Sequence, residues 1–168
     1  MKLSRPLLAT LVALIAFASL GMAKKKYEVT VRFYGEANAN DSERFAKPIK
    51  LTNPARDAFI QQIPAISERN IKAIYPFAAD DNSMGCAFLL DESGRIGLEV
   101  LSSDQRGKSV VAFVSSTKTK YTHQVIDMVI DKPVKDGIIS IPRGLTDLEV
   151  DAMRKQWRVL GDPNDKRR

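Results

Sequence analysis

The sequence predicts a single α+β domain: a mostly antiparallel β-sheet with a docked C-terminal helix and one further helix. Two observations carry this prediction. Short apolar stretches with the spacing of strands recur along the chain, and turns rich in Gly, Pro, Asn and Asp separate them. Near the end of the chain the spacing becomes helical over Thr146–Leu160, with start and stop signals at its two ends.

Alternating polarity is clearest at Tyr27–Gly35, where Val29, Val31 and Phe33 face one side while Arg32 and Tyr34 face the other. The region Arg56–Ala65 fits either a short strand or one helical turn, and the sequence leaves that choice open. The remaining predicted strands are Lys47–Thr52, Ile71–Phe77, Gly85–Leu90, Lys108–Ser115, His123–Asp131 and Gly137–Pro142.

The first predicted helix is Asp91–Ser103, with Asp91 as its N-cap. Ile96, Val100 and Leu101 have roughly helical spacing and suggest its apolar face. Gly94 and Gly97 weaken this prediction, because glycine in a helix interior costs about 1 kcal/mol relative to alanine.

The C-terminal helix is the best specified element. Thr146 and Glu149 stand three residues apart and predict a capping box, and Leu145 and Val150 occupy the places of a hydrophobic staple. Trp157 lies on the predicted apolar face, so we expect it in the core.

The first 23 residues have the pattern of a secretory signal peptide. Two basic residues precede the apolar run Pro6–Leu20, and Gly21 and Ala23 are small residues where a signal peptidase cuts. An uncleaved anchor is the alternative, because about 18 apolar residues can just span a bilayer. We therefore expect a periplasmic or extracellular protein that contacts a membrane only through an uncleaved signal segment.

Composition limits the possible partners of the remaining chain, a single domain at residues 24–161 followed by a polar basic tail at 162–168. The formal net charge of the full sequence is +6, or +4 without the two basic residues of the signal segment. It is spread along the sequence, and no basic stripe with interleaved aromatic residues predicts nucleic-acid binding. Cys86 is the only cysteine, which excludes an intramolecular disulfide. Its apolar neighbours predict a buried small hydrophobe.

The order of elements from about Ile63 to Leu160 resembles the periplasmic head subdomain of SecD and SecDF, membrane proteins that assist the bacterial Sec translocon. Five segments carry the resemblance. They are an entry segment (Ala65–Ile71), two strands (Ala87–Leu90 and Gly107–Val114), a turn followed by a strand (Asp136–Ser140) and the start of a helix (Leu145–Val150). It implies an α+β fold and a surface for extended or unfolded polypeptide.

The sequence also departs from that family. Ser115, Ser116 and Thr117 replace the family's Asp-Gly turn, and no Ser-Ala-Pro precedes Val125. The sequence has no counterpart of the family's transmembrane helices or base subdomain. A proton-coupled translocase role is therefore not expected.

No pattern in the sequence predicts a catalytic residue, a cofactor or a metal. His123 is the only histidine, and beside Thr122 we expect it to be a surface or capping residue. One His and one Cys cannot complete a tetrahedral zinc site without carboxylates. The segment Asp80–Asp91 matches a calcium loop in part, but Met84 stands at a ligand position and Cys86–Leu90 has the character of a strand.

The leading functional hypothesis is a non-catalytic binding or assembly module of the cell envelope, whose partners are other envelope or secreted proteins. Arg32 and Tyr34 are the candidate partner-binding residues, through addition of a peptide strand to Tyr27–Gly35. A solvated outer face is the alternative for these two residues. The alternatives for the whole chain are a small secreted hydrolase with a site near His123 and a purely structural envelope protein. The sequence does not determine the partner or the oligomeric state.

Overall fold

The computed structural model describes residues 27–120, 122–163 and 165. The predicted signal peptide at residues 1–23 and the last residues of the predicted tail lie outside the described residues. In the described part of the chain, no helix has the length and apolar character needed to cross a membrane.

The described residues form nine strands and two α-helices. The strands are β1 (Val29–Ala37), β2 (Ala46–Thr52), β3 (Ala55–Gln61), β4 (Ile71–Ala78), β5 (Met84–Leu90), β6 (Ser109–Ser116), β7 (Thr122–Val129), β8 (Ile138–Leu145) and β9 (Arg158–Val159). The helices are α1 (Glu92–Asp104) and α2 (Asp147–Gln156), and a short 3₁₀ helix, Glu68–Asn70, precedes β4.

The strands belong to two sheets. The large sheet has five strands in the order β2-β3-β1-β6-β7, and all its neighbours are antiparallel. The small sheet has four strands in the order β8-β5-β4-β9, antiparallel except for the short parallel contact of β9 with β4. The architecture is therefore a single-domain, mostly antiparallel α+β fold, as predicted.

One apolar core joins both sheets and both helices. Phe33 of β1 and Phe88 of β5 are fully buried, and their rings meet edge to face with centroids 6.0 Å apart. Leu98 and Leu101 of α1 enter the same core, and so does Met153 of α2. Trp157 is buried there as predicted.

The β2–β3 hairpin builds a second apolar cluster on the other face of the large sheet. Because side chains alternate along a strand, the residues next to the core positions of β1 and β6 point away from the main core. There they meet hairpin residues and form the cluster that we call the hairpin cluster: Tyr34, Leu51, Ala58, Ile60 and Val111. The ambiguous region Arg56–Ala65 is thus mostly a strand.

The tip of the hairpin is fixed to β7 by a buried carboxylate. Asp127 accepts hydrogen bonds from the backbone N–H groups of Thr52 and Asn53, both at 2.7 Å, and from the Thr52 hydroxyl at 2.5 Å. Near the same tip, at the start of β3, Arg56 forms two parallel hydrogen bonds of 2.7 Å with Glu36 of β1. The hairpin is therefore held across the sheet at two places.

Both predicted helix starts are confirmed. Asp91 caps α1 by accepting a hydrogen bond from the Gly94 N–H at 2.7 Å, and Thr146 and Glu149 form the capping box of α2. The end of α2 differs from the prediction. The helix stops at Gln156 instead of Leu160, because the chain becomes extended at Trp157 and pairs with β4.

The apolar face of α1 also differs from the prediction. Leu98 and Leu101 enter the core, while Ile96 and Val100 are exposed. Gly94 explains how the helix packs. A β-carbon at Gly94 would lie 2.8 Å from the Asn70 Cβ, so glycine permits a contact that any side chain would block.

Candidate functional site

The two residues predicted to bind a partner have different surroundings. Arg32 is exposed, and its guanidinium pairs with Glu68 at 3.2 Å. The hydrogen bond to Glu68 is the main reason that the pKa of Arg32 is raised. Tyr34 is only 6% exposed, so the expectation of an exposed side chain is wrong there. Partner binding by Arg32 stays a prediction.

Tyr34 is buried because the hairpin covers it. Its ring packs edge to face against Phe113, with centroids 5.7 Å apart, and the Lys47 ammonium lies 4.4 Å from the Tyr34 ring centroid. Burial, the larger cause, and the nearby Arg32 charge both lower the pKa of Lys47. Sequence alternation correctly separated Tyr34 from the main core, but it could not show that β2 and β3 cover the opposite face.

The edge of β1 that strand addition would require is already occupied. The Gln156 side chain accepts from the Glu28 and Val29 N–H groups at 2.7 and 3.1 Å and donates to the Val29 carbonyl at 2.8 Å. Farther along, the Phe33 N–H donates to the Ile66 carbonyl at 2.9 Å. A peptide pairing with this edge would have to displace both sets of hydrogen bonds.

His123 lies beside the start of α2. Its Nδ1 is 3.5 Å from Glu149 Oε1, and Glu149 is fully buried. The other oxygen of Glu149 accepts from the Thr146 N–H and hydroxyl at 3.0 and 2.9 Å. The carboxylate thus completes the helix cap and links α2 to β7, which fits the predicted capping environment of the histidine.

Cys86 and the acidic loop have structural roles. Cys86 is fully buried in β5, and burial raises the pKa of its thiol to about 12, so the reactive thiolate is disfavoured. The second half of the calcium-like segment is β5 itself, while Asp81 accepts hydrogen bonds from Ser83. In the described residues, no group of three or more His, Cys, Asp and Glu side chains could hold a metal ion.

An apolar surface with a cleft lies beside α1. Ile96 and Val100 are 50% and 54% exposed on the helix, and Ile63, on the segment that follows β3, is 78% exposed. A cleft of about 290 Å³ opens beside Val100, and we call it the α1 cleft; it is lined by Gln61, Ala65, Gly97, Val100, Leu101, Asp104 and Gln105. Ile96 and Ile63 do not line it, but they are close in sequence to the lining residues Gly97 and Ala65.

Two features shape the α1 cleft. A β-carbon at Gly97 would lie 3.1 Å from the Ala65 carbonyl oxygen, so glycine keeps the helix close to the segment that follows β3. Gln105 Oε1 is buried and accepts no hydrogen bond from any described residue. The sequence pattern did not predict this site, because the spacing of Ile96, Val100 and Leu101 indicated a single core-facing side of the helix. Leu98 and Leu101 share one face of the helix. A core face centred on these two residues would have predicted that Ile96 and Val100 are exposed.

A second apolar surface lies on the outer face of the small sheet. Ile74, Phe88 and Ile139 align across three strands and point into the core. The neighbouring row Tyr75–Ala87–Ser140 therefore points outward, and so does the row Ala73–Leu89–Ile138, in which Ala73 is covered and only 1% exposed. Tyr75 and Ile138 are 53% and 46% exposed. We call these two rows the outer sheet face.

Comparisons with known proteins gave similarities in structure alone. No protein-family model and no curated protein matches the chain. A crystal structure of SecDF in a super-membrane-facing form is 12% identical, with a TM-score of 0.48 over 89% of this chain and 20% of that chain. A structure of SecDF described as a membrane component that enhances protein export is 11% identical, with a TM-score of 0.49 over 90% of this chain and 67% of that chain. The chain thus spans about a fifth of the length of the first of these, and both are structures of the family that the sequence resembles.

Proposed function

We propose that the chain is a non-catalytic module that works outside the cytoplasm and binds another protein through the α1 cleft. The observation that carries the proposal is the exposure of Ile63, Ile96 and Val100 beside this cleft. Single exposed apolar residues are ordinary on protein surfaces, but a group of them beside a concave site is typical of an interaction surface.

Burial of these side chains would favour association. Full burial of a Val or Ile side chain contributes about 1.5–3 kcal/mol, and about half of each helical side chain is still exposed here. Contact with Ile63, Ile96 and Val100 together would therefore contribute about 3 kcal/mol before the entropy of association is subtracted.

Polar groups of the cleft define what the partner must offer. The buried Gln105 Oε1 lacks a donor among the described residues, and an unsatisfied buried acceptor costs about 1–3 kcal/mol. A partner that inserts an apolar side chain and brings an N–H group toward Gln105 would satisfy this oxygen. Asp104 lies at the same cleft and favours a neighbouring positive charge.

The absence of catalysis is part of the proposal. Its support is that the carboxylate nearest His123 is already engaged by Thr146 in the helix cap. We expect a His123→Gln variant to keep partner binding. Hydrolysis of a defined substrate by the wild type, lost in that variant, would favour the secreted hydrolase instead.

The proposed location rests on the signal-peptide pattern at residues 1–23. In a bacterial host, we expect the full chain to be recovered from the periplasm or the medium, with Lys24 as its first residue. Recovery from the cytoplasm with residues 1–23 retained would contradict the proposed location.

The binding test is site-specific crosslinking from inside the cleft. A photoreactive amino acid at Val100 of the full chain should crosslink a defined protein of the envelope fraction, identified by mass spectrometry. The same group at Leu148, which is 58% exposed on α2, is the matched control. Ile96→Asp should abolish the crosslink from position 100. Equal products from positions 100 and 148, or products insensitive to Ile96→Asp, would contradict binding at the cleft.

A further inference from the structure

We propose that the outer sheet face is a self-association surface, which a second copy of this chain covers in a two-fold symmetric, weak dimer. The surface shares no residue with the α1 cleft, so this inference stands or falls separately from the proposed function.

The first argument is the polarity of the face. An antiparallel sheet that packs one face on a core normally presents polar side chains on the other. Here the two outward rows on β4 and β5 contain Ala73, Tyr75, Ala87 and Leu89, and β8 adds Ile138 beside Leu89. Tyr75 and Ile138 are about half exposed, and the described residues leave them open to solvent. The face therefore has the chemistry of a sheet surface that packs on another sheet.

The second argument is the order of large and small side chains. In one row a large residue, Tyr75, lies on β4 and a small one, Ala87, on β5. In the next row the order is reversed, with Ala73 on β4 and Leu89 on β5. A two-fold axis parallel to the strands and between β4 and β5 reverses each row. It would place Tyr75 of one copy over Ala87 of the other. Leu89 would lie over the position of Ala73, which is itself only 1% exposed because its own chain covers it.

Charge complementarity also favours a second copy over another partner. Arg158 of β9 is paired with Ala73, so it extends the outward row at one end. Asp136 is exposed near the other end, where it accepts a hydrogen bond from the Ile138 N–H. The same two-fold axis brings the Arg158 side of one copy over the Asp136 side of the other. In this orientation Arg158 of each copy lies over Asp136 of the other. The flanking charges are engaged within their own chain, Lys135 by Glu99 at 3.6 Å and Asp165 by the Val159 N–H at 2.7 Å.

The size of the face sets the expected strength. With strands about 4.8 Å apart and a rise of about 3.3 Å per residue, the outward side of the whole small sheet, four strands wide and about six residues long, measures roughly 400 Å² per copy, or about 800 Å² for both. Specific stable interfaces bury about 1,200–2,000 Å², so this one belongs to the weak class. We expect a Kd on the order of 0.1 mM, with dimers populated where the chain is locally concentrated.

The test is sedimentation velocity on protein purified from cells that express the full chain, over about 10 µM to 1 mM. We expect a reversible monomer–dimer equilibrium. Tyr75→Lys and Ala87→Glu should each raise the Kd at least about tenfold, because each places an unpaired charge in the interface. An equimolar mixture of the two variants should recover dimers, since the introduced ammonium of one copy then meets the introduced carboxylate of the other and the second Tyr75–Ala87 contact is intact.

Controls make each outcome decisive. Leu148→Lys introduces the same charge at a similarly exposed position on α2 and should leave the Kd unchanged. Circular dichroism checks folding; if Ala87→Glu fails to fold, Ile138→Asp at an exposed position replaces it as the weakening variant. A wild type that stays monomeric throughout, equal weakening by Leu148→Lys, or no recovery in the mixture of two folded variants would each overturn the proposal.

Discussion

The outer faces of the two sheets differ in exposure to solvent. The large sheet folds its own β2–β3 hairpin over the outward side chains of β1 and β6, and Tyr34 and Val111 are buried as a result. The small sheet has apolar outward side chains as well, but Tyr75 and Ile138 stay exposed. Of these two apolar outer faces, only that of the large sheet is covered by other described residues, and the β2–β3 hairpin provides that cover.

The largest effect should follow from damage to the cover of the large sheet. Ile60 is fully buried in the hairpin cluster, and Ile60→Ala should reduce the free energy of unfolding by about 3 kcal/mol, through lost burial and a residual cavity. Urea denaturation followed by circular dichroism measures this change. A loss below about 1 kcal/mol would mean that the hairpin contributes little to the stability of the sheet.

The next effect should come from the anchor at the hairpin tip. Asp127→Asn removes a charged acceptor of three hydrogen bonds and should cost about 2 kcal/mol. Hydrogen exchange should then speed up for amides of β2 and β3 more than for those of β6. Uniform acceleration over the whole chain would contradict a local anchoring role.

The same anchor predicts a dependence on pH. Burial, the largest single influence, raises the pKa of Asp127, but the hydrogen bonds from Thr52 and Asn53 together outweigh it, so the pKa lies below its ordinary value of 3.8. A carboxyl group with a depressed pKa in the folded state stabilises the fold above its unfolded pKa and loses this contribution as the pH falls through the folded value. The stability advantage of wild type over Asp127→Asn should therefore shrink below pH 3.8.

A smaller effect should follow when the closed edge of β1 is opened. Gln156→Ala removes the side-chain amide that pairs with Glu28 and Val29, and should cost about 1–2 kcal/mol. Exchange of the Glu28 and Val29 amides, followed by NMR, should accelerate. Asp151→Ala on an exposed position of α2 is the matched control and should leave both amides unchanged.

Local signals explain which parts of the fold the sequence could predict. The capping box of Thr146 and Glu149 involves residues three positions apart, so its pattern is visible in the sequence and the structure confirms it. The anchor between Thr52 and Asp127 spans 75 positions, and no local pattern reveals such a contact. The burial of Tyr34 depends on that anchored hairpin, which is why alternation alone gave the wrong exposure.

Local sequence patterns also fail to predict the exposed apolar surfaces of α1 and of the small sheet. In the sequence, Gly94 and Gly97 weakened the prediction of α1. In the structure, these two glycines allow the helix to pack closely against Asn70 and Ala65. The exposure of Ile96 and Val100 follows from that contact. For the small sheet, alternation along β4 and β5 could have identified outward apolar residues, but the rows that they form depend on the register between strands.

The smallest effect on stability should come from a change in the outer sheet face. Ile138→Ala is the same chemical change as Ile60→Ala, but Ile138 is 46% exposed, so in dilute solution it should lower the free energy of unfolding by less than about 0.5 kcal/mol. Repeating the urea denaturation at a protein concentration where dimers form should separate the variant from wild type further, because a dimer that forms only from folded chains stabilises the fold by mass action. Equal losses for Ile138→Ala at both concentrations would show that this side chain contributes within one chain only, and the two outer faces would then differ in exposure alone.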